Sequence, residues 1–216
     1  MSAARLVVWR HGQTAWNVEG RGQGQTDIPL DDHGIAQARA AAARLAALRP
    51  AALVSSDLRR AAQTAAELAR ITGLTVTYDA DLREIDLGSW AGLTRAEVHA
   101  RHPEIAALAA AGEDFRRGGH GETLAEVAER AEKGFRRAIE LVDDGETVVA
   151  VSHGLATRVG IARLVGLPPA HWEAFGGLGN CSWVVCEPGR RGWRIIEWNA
   201  GTLPEPVLSD DRVSSA

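Results

Sequence analysis

Short apolar runs alternate along this chain with longer segments of helical period, and no other feature constrains the fold as strongly. RLVVWR (5–10), AALVSS (51–56), LTVTYD (74–79) and ETVVAVS (146–152) read as strands. Between and after them lie four helical segments, 32–48, 58–73, 123–142 and 154–166. The first places Ile35, Ala38, Ala42, Leu45 and Leu48 near one face and is capped by Asp31 or Asp32. The second is closed by Gly73, and the third opens on a Thr123/Glu126 capping-box pattern. CSWVVCEP and RGWRIIEWN read as two more strands joined by the turn PGRRG. A β-α-β-α order of this kind implies a mostly parallel sheet with helices on both faces, an α/β/α sandwich.

With 216 residues the chain is expected to form one domain over 1–202, with a polar, proline-broken tail at 203–216 whose last residues are expected to be mobile. Residues 88–121 fit the alternation poorly and read as an insertion over one end of the sheet. A formal charge of −4 argues against a general nucleic-acid binder. No apolar run approaches the roughly 20 residues that span a bilayer, so no membrane partner is expected. MSAARLVVW is too short and strand-like for a secretory signal, and the expected location is cytoplasmic. Cys181 and Cys186, read as members of one strand, would lie on opposite faces roughly 16 Å apart. Unpaired cysteines suit a reducing compartment.

Four positions fall at strand ends on one edge of such a sheet, where open α/β sheets bind ligands. Arg10 and His11 follow the first strand, Arg59 and Arg60 the second, Glu84 the third and His153 the fourth. Each is unremarkable alone, since a histidine at a strand end is commonly structural and arginines at a helix start are commonly surface charge. Together they offer cations for phosphoryl oxygens, an imidazole to attack phosphorus and a carboxyl group to move a proton.

The ordered blocks RHGQTAWN, SSDLRRAAQTA, LREIDLGSWAG, GET and VSHG resemble the histidine phosphatase superfamily, the group that includes cofactor-dependent phosphoglycerate mutases. That resemblance implies a phosphoglycerate mutase-like three-layer fold and a phosphomonoesterase that acts without metal or cofactor. It implies that His11 is the nucleophile, Arg10 and Arg60 the phosphate clamps, His153 a donor to phosphoryl oxygens and Glu84 the acid for the leaving alkoxide. Asn17 and Gln23 resemble further contacts to the phosphoryl group or the rest of a small phosphorylated substrate, while Arg59 is the uninvolved neighbour. Small members of the group are often homodimers, although nothing in this sequence singles out an interface.

Several other uses of the same residues stand beside this one. His99 and His102 in HARH have an i, i+3 spacing suited to zinc, but no cysteine or acidic cluster completes a set, and solvated helix residues before Pro103 are the simpler reading. Among seven tryptophans only Trp16 and Trp90 flank the catalytic blocks. A mutase would benefit from a longer cover than residues 93–120 provide, which favours a phosphatase. An inactive phospholigand-binding module would be expected to have lost His11 or Glu84, and both are present. The ending FGGLGNCSWVVCEP resembles the actinobacterial glucosyl-3-phosphoglycerate phosphatase branch, which would call for a second cation; Arg116, Arg117 or His120 could supply it, or could be solvated charges of the insertion.

Overall fold

The structure, a computed structural model, describes residues 5–201. The 203–216 tail lies outside the described residues. One sheet of six strands runs through the molecule in the order β3-β2-β4-β1-β5-β6, with β1 at Arg5–Arg10, β2 at Ala52–Ser55, β3 at Val76–Tyr78, β4 at Thr147–Ser152, β5 at Trp183–Gly189 and β6 at Gly192–Ala200. The first four strands are parallel, and β5 and β6 add on antiparallel. A mostly parallel sheet with helices on both sides is what the alternation of periods implied.

The side-chain alternation of each strand sorts the core into two layers. Val7, Trp9, Leu53, Val149 and Val151 meet α2 (Asp32–Ala46) and α3 (Arg59–Thr72) on one face. Leu6, Val8, Val54, Val148 and Ala150 meet α6 (Leu124–Ile139) and α7 (Gly154–Leu164) on the other. Because β1 and β4 are adjacent and their following helices leave to opposite faces, a crevice opens at the carboxyl ends of these two strands. Asp31, rather than Asp32, caps α2, accepting from the Gly34 amide at 2.7 Å, and Thr123 with Glu126 forms the expected box at α6. Gly73 is left-handed at the end of α3.

Three expectations need adjustment. Cys181 lies before β5, in a left-handed backbone conformation (φ 56°), so the two cysteines do not share a strand. They do pack into opposite layers, both buried and neither in a disulfide. Segment 88–121 is not irregular throughout: it carries α4 (Arg95–Arg101), with its own Thr94/Glu97 capping box, and α5 (Glu104–Ala110), separated by Pro103. His102 is the cap of α4 and not within the helix; its side chain, about 39% exposed, places its ring 5.5 Å from that of Trp90. A short helix, α1 (Ala15–Val18), follows the first strand-end loop and was not foreseen; Thr14 caps it.

Gly12 and Gly34 bring the loop after β1 and the start of α2 into backbone contact. A Cβ on Gly34 would lie 2.1 Å from the Gln13 carbonyl oxygen and 2.7 Å from its nitrogen. Helix propensity alone would favour alanine there by about 1 kcal/mol, but backbone atoms on both sides cannot give way. Gly34→Ala is therefore expected to lower stability by roughly 1–3 kcal/mol, read as a lower urea midpoint; an unchanged or raised midpoint would show that the two segments can separate.

Candidate active site

The crevice gathers the strand-end residues named above. Arg10, the last residue of β1, and His11 are both about 3% exposed, and Arg60 and His153 have no exposed surface. His11 is clamped through its peptide group: its amide donates to Ser152 at the end of β4 (3.1 Å), while its carbonyl accepts from the Cys181 amide (3.2 Å) and from Asn180 Nδ2 (3.1 Å). Arg10 donates from Nη1 to the Leu178 carbonyl. Segment 178–182 is thus the second wall of the pair, and sequence reasoning missed it as a wall.

The hydrogen bonds settle both imidazole tautomers. His11 Nδ1 lies 2.7 Å from the Gly12 carbonyl oxygen, which can only accept, so Nδ1 carries the proton and Nε2 carries a lone pair. His153 Nδ1 accepts from Arg60 Nε at 3.2 Å, which leaves the proton on Nε2, donated to Ser56 Oγ at 2.9 Å. The donation to a phosphoryl oxygen expected of His153 is one that Ser56 receives in this arrangement. The two rings are 5.1 Å apart and tilted by 55°. Burial holds both imidazoles well below the usual histidine value, helped by the charges of Arg60 and Arg10. The Gly12 carbonyl opposes this at His11.

Arg60 stands at the start of α3 and donates to the carbonyls of Gly24 (2.7 Å) and Thr26 (2.8 Å), while Arg59 is exposed. Asn17 spends its oxygen on the amide and hydroxyl of Thr14, both at 3.1 Å, and on Asn180 Nδ2 at 3.3 Å. Its buried Nδ2 has no partner among the described residues, a donor available to a phosphoryl oxygen. Gln23 is buried, and its Oε1 is likewise without a partner among the described residues. Glu84 follows β3 and reaches the start of α7, where its carboxylate accepts from the amides of Leu155 (3.1 Å) and Ala156 (2.9 Å) as well as Ile85 (3.0 Å). The carboxyl group and His153 thus meet at one helix terminus.

The insertion is tied to this site without lending it charge. The Gly22 amide donates to the Leu93 carbonyl (2.9 Å), and Trp16 packs against Gly92. Arg116 donates to the Gly121 carbonyl and to Glu126, and Arg117 to Asp114 and the Phe115 carbonyl. Both arginines are committed to the insertion and the start of α6, and His120 is exposed. Trp90 is buried between His102 and Phe115.

Residues 6–201 match the family model for the histidine phosphatase superfamily (branch 1). A glucosyl-3-phosphoglycerate phosphatase of Mycobacterium tuberculosis (strain CDC 1551 / Oshkosh) is 42% identical over 219 residues, covering 93% of this chain and 96% of the relative. A probable phosphoglycerate mutase of Yersinia pestis (strain Pestoides F) is 33% identical, covering 90% and 89%. Among solved structures, a mycobacterial glucosyl-3-phosphoglycerate phosphatase in complex with VO3 superposes with a TM-score of 0.84 at 40% identity, covering 92% of this chain and 100% of that one.

Two buried neutral imidazoles make the fold acid-sensitive. In the unfolded chain they take up protons near 6.5, and in the folded chain only well below that. Below pH 6.5 the unfolded state therefore binds more protons, and stability falls with acidification until the folded values are reached. Urea titrations are expected to show a loss of up to about 1.4 kcal/mol per pH unit for each histidine in that window. His153→Gln is expected to make the slope shallower by one proton, and an unchanged slope would contradict the buried neutral ring.

Proposed function

The chain belongs to the histidine phosphatase superfamily and is a phosphatase, and we propose that it is a metal-independent phosphomonoesterase working through a phosphohistidine on His11, with glucosyl-3-phosphoglycerate as its substrate. The observation that carries the mechanism is the tautomer of His11. The bond from Nδ1–H to the Gly12 carbonyl leaves the Nε2 lone pair as the nucleophile, and burial, with the nearby guanidinium charges, disfavours its protonation.

Nε2 attacks phosphorus in line with the ester oxygen; the P–N bond forms as the P–O bond breaks, and the leaving alkoxide takes a proton from the Glu84 carboxyl group. The ring becomes cationic, and the Gly12 carbonyl stabilises its Nδ1–H. Water then gives a proton to the Glu84 carboxylate and attacks the phosphohistidine; the P–N bond breaks and orthophosphate leaves, restoring His11. Arg10, Arg60 and Asn17 Nδ2 serve the phosphoryl oxygens, and His153 joins them when its Nε2–H turns from Ser56 Oγ; little covalent chemistry is needed there and charge stabilisation dominates.

Support for the substrate comes from the 42% identical relative of that name and from likeness along nearly the whole chain. VO3, which that relative's mycobacterial counterpart holds in its structure, is a mimic of the transferred phosphoryl group. Trp16, Asn17 and Gln23 are the candidates for the remainder of the substrate. The same reading carries a cytoplasmic location, in keeping with two buried cysteines outside any disulfide, and a homodimer, which light scattering at micromolar concentration tests. No helix among the described residues is long and apolar enough to cross a membrane.

Comparison of kcat/KM for glucosyl-3-phosphoglycerate, 3-phosphoglycerate, phosphoserine and sugar phosphates tests the substrate. A preference above about tenfold, roughly 1.4 kcal/mol, for a compound lacking the glyceryl carboxylate would reject it, and interconversion of phosphoglycerates dependent on 2,3-bisphosphoglycerate would reveal a mutase. His11→Ala is expected to keep less than a tenth of the activity on any of them, and prolonged chelation to leave the wild type unchanged. Metal-restored activity after chelation would overturn the all-cation site.

A further inference from the structure

Arg130, on α6, lies outside every block that the sequence pointed to, yet its five N–H groups are all used. Nε donates to Glu122 Oε1 (2.7 Å) and Nη2 to Glu122 Oε2 (2.8 Å), a bidentate pair. Nη1 donates to the carbonyls of Asp81 (2.9 Å) and Arg83 (2.6 Å), and Nη2 also to that of Glu84 (2.9 Å). Glu122 in turn accepts from the Asp86 amide at 2.8 Å, and its own amide donates to the Asp86 carbonyl at 2.9 Å.

Residues 84–87 belong to no helix or strand, so no ladder fixes their backbone. The pair of Arg130 and Glu122 does so instead, binding main-chain groups on both sides of Glu84 and the carbonyl of Glu84 itself. The side chain of Glu84 is then fixed from the other direction by the Leu155 and Ala156 amides of α7. Arg130 is only about 16% exposed, and its charge is near enough to act on His153. A pair serving only to join α6 to a loop would not need three carbonyls from residues 81–84 converging on one planar cation beside the site.

We propose that Arg130, oriented by Glu122, is a positioning residue for proton transfer: it sets the main chain around Glu84 so that the carboxyl group stands where the leaving oxygen departs. This rests on Glu84 being the acid of the reaction. Lysine cannot take over the role, because one ammonium group offers three donors without the planar fork that reaches five acceptors.

The test is a leaving-group series. For Arg130→Lys, kcat/KM is expected to fall on the order of 10- to 100-fold on alkyl phosphates. On 4-nitrophenyl phosphate, whose leaving group needs little protonation, the fall is expected to stay within threefold. Glu84→Gln is measured beside it. In the double variant the alkyl loss is expected to equal that of Glu84→Gln alone, because the positioned group has gone. Losses that are equal across leaving groups at a temperature well below melting, or that multiply in the double variant, would overturn the inference and leave the Glu84 reading standing. Absence of a leaving-group split in Glu84→Gln itself would overturn that reading and this inference together. If Arg130→Lys does not fold, Glu122→Gln carries the same comparison: a split of the same sign supports the role, and a uniform loss or no loss rejects it.

Discussion

A guanidinium group with no exposed surface sits at the centre of this molecule's energetics. Taking such a charge out of water costs several kcal/mol unless acceptors replace the lost hydration. For Arg60 these acceptors include the carbonyls of Gly24 and Thr26 and the lone pair of His153. The loop around residues 20–26 must therefore be ordered for the cation to be buried at all, and the Gly22 contact to Leu93 ties the insertion into the same order. Burial, reinforced by the positive field that results, keeps two imidazoles neutral, and neutrality is what lets a histidine attack. Stability and reactivity thus draw on one arrangement, and a phosphoryl dianion is the ligand that such a field favours.

Much of this was legible in the sequence because strands and strand ends leave strong local signals. The apolar runs of β1 and β4 marked the centre of the sheet, and Arg10, His11, Arg60, Glu84 and His153 stand at strand ends where a parallel topology brings them to one edge. Residues acting through single long-range contacts left no such signal. Ser56, Asn180 and Arg130 each bond across stretches of chain with no shared period, so only the fold reveals them. The helices α4 and α5 left a weak signal for a different reason: neither has a buried residue, so neither has an apolar stripe to read. The HARH stretch before Pro103 read as helical, and the Thr94/Glu97 capping box is a further clue to the same helix.

The arginines of the insertion show how composition misleads. Arg116 and Arg117 stand in a segment near the site and could have met a substrate carboxylate, but their donors go to Gly121, Glu126, Asp114 and Phe115. Asp114 also accepts from the Leu124 and Ala125 amides, completing the start of α6. Charge in this segment holds the insertion against that helix, and α6 carries the cation that fixes the Glu84 loop. The insertion and Glu84 are therefore joined through one helix.

The antiparallel attachment of β5 has a consequence for the newborn chain. Because that strand runs against β1, its beginning lies beside the end of β1, and the carbonyl that holds Arg10 belongs to a residue 168 positions later. β1 also waits for residues 147–152 to supply its other neighbour. Pairings of such sequence separation form slowly. A chain interrupted before residues 178–189 carries Arg10 and His11 without the wall and the strand that hold them, so the site is assembled only after that stretch has been made.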